Sequence, residues 1–477
     1  MLIENHVSTI KFGDKMKENV TFSIGNLALI EKVDARTHFF DIVFNGLGGR
    51  AKDFIPYVKL LLYNRLGETV SVNRLADFTP AELTQLMGFT GTASAKQTNR
   101  TIERLGRQHA LVLANYQEYI QGLDAVTRDQ LLDFSAGYFE GNKSPLGALG
   151  YSRDGQPGKK QITFGVSVGV NGVPSALTIQ KGNTVDKKHM WSLVRACTKI
   201  LEAGSLLIFD CGGNTKKIKE RVIKLGFGYL TLKAKKRGPY AALLRQFREG
   251  PKQTLKCGET EYSCLKTKSV SETLYVFYSQ KLHDDQMRKK KRKFVKALAK
   301  GQKLLKKVRK NKDLEKHVCL EGWIIQRGNL QKALQLDNPF VTGLEGYFVL
   351  ESSLDADPAE ILRLYKERDK AEKLIRDLKE GAELRPFRHW SEDAVKGIVL
   401  IVFLASALAR LTLLFCENAL VRNLKLLKKY LKHLTLSVVY LKNGRKMTFI
   451  SNFSEEMRVF FGSFLQKYVK TSLADWL

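Results

Sequence analysis

Residues 130–233 limit the fold more than any other stretch, because their apolar residues change period in a set order. QLLDFSAGYFEG, from Gln130, reads as an apolar strand with one acid, Asp133, inside it. GYSRDGQPGKKQ is a turn-rich connection. Gln161–Val170 alternates at period two, Asn171-Gly172 is a hairpin dipeptide, and VPSALTIQ returns as the partner strand. The pattern then predicts a helix over 187–203, a buried strand SLLIFD ending in Asp210, a helix over 214–225 and a strand at Gly228–Lys233. A carboxylate inside an apolar strand is costly unless paired or metal-bound, which singles out Asp133. Asp210 has a competing role as a strand-end or cap residue before the turn Cys211–Asn214.

A second stretch, Pro358 to Glu380, marks both ends of a helix. Asp357 stands at the N-cap, Pro358 at the first helical position and Glu360 three residues after the cap. Gly381 follows the last turn, where glycine takes the left-handed conformation. At about 100° per residue, Tyr365, Arg368, Glu372 and Lys379 fall within roughly 60° of one another. They lie beside an apolar stripe of Leu364, Ala371, Leu374, Ile375 and Leu378. Arg368 and Glu372 at i,i+4 are also what an ordinary surface pair looks like. Gly346–Leu354 reads as the strand that leads into this helix.

Strand, hairpin, helix, strand, helix, strand is the order of a ribonuclease-H-like α/β core. With Tyr-x2-Arg-x3-Glu-x6-Lys at 365–379, the chain resembles the DDE transposases of bacterial insertion sequences, in the branch that carries this Tyr-Arg-Glu-Lys helix. Tyr151–Gly155 is similar to the family's Gly-Tyr-Ser-Lys-Asp stretch with arginine for lysine, and KGNTVD, ending at Asp186, is also family-like. LRPFRHW after Gly381 resembles the family's Arg-Pro-x-x-His segment. The resemblance implies that Glu372 is the third metal-binding carboxylate beside Asp133 and Asp210, which the family core brings to neighbouring strands. It also implies that Tyr365, Arg368 and Lys379 contact DNA-end phosphates. Hard carboxylate oxygens suit Mg²⁺ or Mn²⁺, and a pair of such ions about 3.5–4 Å apart activates the nucleophile in phosphodiester cleavage. Cys211 stands where the family usually has arginine, so a DNA contact there is missing or supplied elsewhere. Asp186 is the main rival acid and reads more simply as a helix cap, and Asp154 as a turn residue. Family members that form hairpins stack a flipped base on aromatics; Tyr347 or Phe348, and Trp323, are the candidates, although strand aromatics are more often core.

Lys and Arg number 79 against 48 Asp and Glu, a net charge of +31, which points to a polyanionic partner, nucleic acid ahead of a membrane surface. Residues 288–312 carry 14 Lys or Arg and no acid. An apolar stripe through Phe294, Leu298 and Leu305 argues for a docked helix with salt-sensitive phosphate contacts. Residues 70–119 read as a helical module in which Gln97–Arg107, with Arg100 and Arg104, suits a major-groove recognition helix. An ordinary helical hairpin with a solvated basic face fits the same pattern. Phe39–Phe44 reads as a strand and Phe54–Arg65 as a helix. Six scattered cysteines without C-x-x-C spacing indicate neither a zinc site nor a disulfide scaffold. The apolar run Gly397–Ala409 is short for a membrane span and suits a core helix, Val395–Phe415. MLIENHVSTIKFGDK lacks the pattern of a signal peptide.

These readings combine into an α/β protein with a ribonuclease-H-like mixed-sheet catalytic core, a β-containing insertion, a helical N-terminal module and a helical C-terminal region. The expected divisions are 1–119, with the DNA-binding module at about 70–119, then 120–415 interrupted at about 234–345, and a basic 416–477. The expected function is a cytoplasmic, nucleoid-associated DNA transposase that cuts element ends and joins the 3′-hydroxyl to target DNA. By resemblance it is a homodimer on double-stranded DNA, with no membrane partner. A nuclease of the same fold without strand transfer, and a DNA-binding relative that does not cut, are the rivals.

Overall fold

The protein is described by a computed structural model covering residues 10–12, 15–48, 51–67, 69–308, 318–320, 323–325, 338, 340–415, 424–440 and 446–469, with backbone alone at 10–17, 51–52, 237, 297–308 and 318–325. It divides into two compact units, 1–205 with 368–477, and 206–367. These are not the divisions expected from composition, because the early helices bury their apolar faces on C-terminal ones.

After a short antiparallel pair at Ile10–Phe12 and Lys15–Lys17, the first unit has β1 (Val20–Ser23) and α1 (Gly25–Thr37). Phe39–Val43 is a short helix, α2, and not the expected strand. His38, with φ +54, ends α1 in the left-handed region. Phe39 then packs edge-on against Tyr119 at 5.3 Å, and Phe44 against Phe54 at 6.2 Å. Tertiary aromatic packing outweighs the strand propensity of a short apolar run. There follow α3 (Ala51–Leu66), α4 (Ala81–Leu86), α5 (Ala95–Arg107) and α6 (His109–Gly122). Strands β2 (Asp129–Tyr138), β3 (Gln161–Gly169) and β4 (Pro174–Lys181) form an antiparallel meander with Asp133 opposite Val166. Its hairpin turns at Asn171-Gly172, where Gly172 has the positive φ, +87, that the turn demands. Helix α7 (Asp186–Cys197) lies on β3 and β4.

The second unit begins with β5 (Leu206–Phe209), α8 (Lys216–Lys224) and β6 (Gly228–Leu232), a parallel pair joined by a helix. It continues with α9 (Arg237–Glu249), β7 (Gln253–Cys257), β8 (Thr260–Lys268), β9 (Thr273–Tyr278), α10 (Gln280–Val308), β10 (Tyr347–Ser352) and α11 (Pro358–Lys366). The strand order is β5-β6-β10-β9-β8-β7, antiparallel beyond β6. The expected insertion therefore does not stand alone: β9 pairs with β10, so its strands extend a mixed sheet. Tyr240, Phe247, Val276 and Val349 form the core beneath it. The basic run starts on α10, whose side chains are described to Lys296.

The chain returns to the first unit with α12 (Asp369–Arg376), α13 (Glu392–Phe415), α14 (Leu424–His433), β11 (Thr435–Tyr440), β12 (Lys446–Ser451) and α15 (Glu455–Phe461). β11 pairs with β12 and with β1, so strands from both ends of the chain share a sheet. The hairpin turn expected at Asn443-Gly444 lies outside the described residues. α13 is long and apolar enough to cross a membrane, yet its residues from Ala394 to Ala409 are buried against α3, α5 and β4, apart from Lys396, half-buried, and it serves as the core helix.

The crossing of α5 and α13 is set by two glycines. A Cβ at Gly106 would stand 1.6 Å from the Asp393 carbonyl oxygen, and one at Gly397 1.9 Å from that of Ile102. Gly106→Ala is expected to lower stability by about 1–3 kcal/mol, because the backbones must part. Thermal unfolding checks this, and an unchanged melting temperature would mean the helices separate freely.

The expected single helix 358–380 is in fact α11, α12 and a wider i→i+5 turn at Asp377–Gly381. Asp357 caps it as expected, its Oδ1 accepting the Ala359 N–H at 2.7 Å. The interruption is local: Glu367 (φ −57, ψ −19) and Arg368 (φ −54, ψ −23) have 3₁₀-type dihedrals. Gly381 is not the left-handed residue. Ala382 N–H bonds Asp377 O at 2.9 Å, Leu384 N–H bonds Leu378 O at 3.1 Å, and Glu383 takes φ +46 instead.

Candidate catalytic site

Asp133 sits midway along β2, on which α12 packs. Arg368, at the start of α12, sets Nη1 3.7 Å from Asp133 Oδ1 and donates from Nη2 to Glu372 Oε1. Asp133 Oδ1 also accepts the Phe134 N–H at 2.9 Å. Two carboxylates and a guanidinium from a strand and a helix thus converge within the first unit. The acid inside the apolar strand has the partner that its burial demands, and the planar guanidinium fork serves two acids at once.

The second unit holds the other members of the expected set. Asp210 follows β5 directly and is half-buried. Its Oδ1 accepts the Cys211 N–H at 2.6 Å, and its carbonyl accepts the Gly213 N–H at 3.2 Å, so it also organises the turn. Tyr365 is half-buried on α11. Among the described residues, no three His, Cys, Asp or Glu side chains are grouped to hold a metal ion. For Mg²⁺ the fit is one of donor chemistry: Asp133 and Glu372 offer carboxylate oxygens only, and both already face one positive charge.

Lys379 is not a phosphate-facing residue in this structure. The wider turn puts it beside Leu378 on the buried side, 9% exposed, where its Nζ bonds Asp154 Oδ1 at 2.7 Å. Burial lowers its pKa, and Asp154 opposes that shift. Arg385 of LRPFRHW donates to the same oxygen. Asp154 is the turn residue expected, and it is also a buried anchor that a turn motif does not reveal.

Asp186 does not cap α7: Val185 occupies the N-cap and Asp186 pairs with Arg153. Arg153 donates as well to the Phe134 carbonyl, which ties the family-like loop to β2 beside Asp133. His189 of α7 lies under this loop, its Nε2 2.8 Å from Thr178 Oγ1. Burial, reinforced by Arg153, pushes its pKa down to about 4. The unfolded chain therefore binds the extra proton first, and the stability from neutral His189 is present above about pH 6.5 and lost as pH falls toward 4. Removing His189 by His189→Gln is expected to erase about 3 kcal/mol of that acid dependence, read as melting temperature against pH.

The remaining candidates divide. Arg104 is tied down, donating to the Leu47 carbonyl at 2.8 Å and lying over the Phe54 ring. Arg100 is exposed on α5. Thr98, Thr101, Ile102, Leu105 and Gly106 of that helix are buried. Tyr347 packs with Tyr278 at 4.7 Å and edge-on to Phe247 at 5.4 Å, so it contributes to the second unit's core. The side chain of Trp323 lies outside the described residues. Sequence reading missed Glu351 on β10, a buried carboxylate held by Lys219 at 3.2 Å, Lys233 and Asn214. Its only signal is an acid in an apolar strand, as at Asp133.

No family model matches the chain, and no curated protein matches it. Among solved structures, it has a distant likeness to a piggyBac transposase synaptic complex with hairpin DNA. The sequences are 9% identical and the TM-score is 0.41, over 86% of this chain and 75% of that one. At that distance the likeness says nothing about this chain's activity.

Proposed function

We propose that this chain is a DNA transposase of the Tyr-Arg-Glu-Lys-helix type, which cuts the ends of an insertion sequence and transfers the freed 3′-hydroxyl to target DNA. The observation that carries the reading is the meeting of Asp133 with Arg368 and Glu372, residues that the motif resemblance selected from distant parts of the chain. Asp133 and Glu372 would hold Mg²⁺ or Mn²⁺, and the motif resemblance assigns Asp210 to the same set. When bound, such ions activate the attacking oxygen and offset charge on the scissile phosphate. Arg368 orients the two acids, and Tyr365 faces the DNA end. The charge of +31 suits a duplex DNA partner. The protein acts in the cytoplasm, at the nucleoid, as a dimer that brings two ends together.

One observation favours a second reading, a DNA-binding relative that does not cut: no three-acid metal group is present among the described residues. The test uses the DNA flanking the reading frame as substrate, with Mg²⁺ and a target plasmid. Joined product supports the transposase, cleavage without joining supports a nuclease, and binding without either supports the second reading.

A further inference from the structure

The basic helix α10 is anchored to the second unit along one side. Glu345, buried in the loop before β10, pairs with Lys290 and accepts the Thr342 and Gly343 N–H groups, both at 2.9 Å. The Gly346 N–H donates to Gln286 Oε1 at 3.0 Å, and its carbonyl accepts the Ser279 N–H at 3.1 Å. Gly346, with φ +80, brings the loop so close that a Cβ there would lie 2.8 Å from His283 Cβ. The Phe340 ring meets Phe294 edge-on at 6.5 Å. Residues 340–346 thus clamp α10 along its Lys290 and Phe294 side, while Asp285 pairs with Arg288. Lys289, Arg292 and Lys296 are exposed, with no ion-pair partner among the described residues. At about 100° per residue they share with Lys293 an arc of roughly 100° that faces away from Phe294. The backbone of α10 continues to Val308, and positions 300, 303 and 307, each a lysine, fall on the same line. The line is about 27 Å long at 1.5 Å per residue.

We propose that this line of α10 binds double-stranded DNA without regard to sequence, and so serves target DNA and not the ends of the element. Every position on it but Arg292 is lysine, a point charge that engages phosphates and lacks the fork that reads a base edge. An element end must be told apart from all other DNA, whereas a target need only be DNA. An anionic membrane would suit the charge but needs a free apolar face, and Phe340 already covers α10 at Phe294. The assignment to target DNA rests on the transposase reading. The sequence-independent affinity does not, and it requires neither metal nor cleavage.

Fluorescence anisotropy in EDTA over a salt series tests it, with duplexes of equal length, two of unrelated sequence and one from the DNA flanking the reading frame. A variant combining Lys289→Gln, Arg292→Gln and Lys296→Gln, checked for unchanged melting, is expected to bind all of them at least tenfold more weakly at low salt. Its slope of log K against log salt should be shallower by about 2–3, as for three lost phosphate contacts. A charge-matched variant with Lys224→Gln, Lys256→Gln and Lys291→Gln, all exposed and off the line, should bind as the wild type does. Equal losses in the two variants, or a loss confined to the flanking duplex, overturns the proposal. With pre-cleaved end DNA and limiting plasmid, the α10 variant should form less joined product while still cutting ends. If the wild-type protein neither cuts nor joins, the transposase reading and the target assignment fall together, and the anisotropy series still decides the DNA surface.

Discussion

Glu372→Gln is expected to lower Mg²⁺-dependent strand cleavage by about a thousandfold or more while DNA affinity changes by less than about threefold. A carboxylate that holds a divalent ion contributes several kcal/mol to the transition state, and each 1.36 kcal/mol is a factor of ten in rate. The neutral amide keeps the shape and loses the charge. Its structural cost is small: the Glu372 side chain is 46% exposed, and its i,i+4 pair with Arg368 is of the surface kind, worth about 0.3–0.5 kcal/mol. Cleavage of end DNA, fluorescence anisotropy and a melting curve on the same preparation separate loss of chemistry from loss of fold. A variant that cuts at the wild-type rate removes Glu372 from the metal site. One that no longer binds DNA moves it to the DNA interface.

Asp154→Ala should be the most destabilising single change near the site, at about 3–5 kcal/mol. Asp154 is 3% exposed at its side chain and balances two cations, Lys379 and Arg385. Without it, the buried Lys379 ammonium keeps its desolvation penalty and loses its counter-charge. Adding Lys379→Met to the variant should restore much of the lost stability, because a methionine of similar length fills the space without a charge. The coupling, read from urea unfolding of both single variants and the double, is expected to exceed about 1 kcal/mol. Strict additivity would mean that Lys379 does not depend on Asp154. A loss of DNA affinity in Lys379→Met without loss of stability would return Lys379 to the phosphate-contact role that the motif resemblance assigns it.

Much of the first unit's meander was legible beforehand. Period-two alternation around Asn171-Gly172 predicts β3 and β4 closely, and in the second unit SLLIFD predicts β5, which Asp210 follows directly. The N-terminal end of α11 was marked by Asp357 and Pro358 and is capped as read. The pairing of Arg368 with Glu372 followed from i,i+4 spacing alone. Phe39–Val43 was misread because a short apolar run has no period of its own, and packing on Tyr119 and Phe54 decided it. Lys379 was misread because a wheel with a constant angle per residue cannot anticipate an i→i+5 turn. Residues 70–119 looked like a separate module because their helices are amphipathic, but their apolar side lies on α13, formed almost three hundred residues later.

By itself the sequence determined the local features: which segments turn, which are capped, and which side chains repeat on one face. Those depend on residues within a turn or two of each other, whose interactions are strong enough to read from spacing. Tertiary structure alone decided which charges meet. Asp154 and Lys379 are 225 residues apart, and only the packing of a loop against a helix end brings them within a hydrogen bond. Burial then makes that pairing obligatory, since a charge withdrawn from water must find its counter-charge wherever the chain places it.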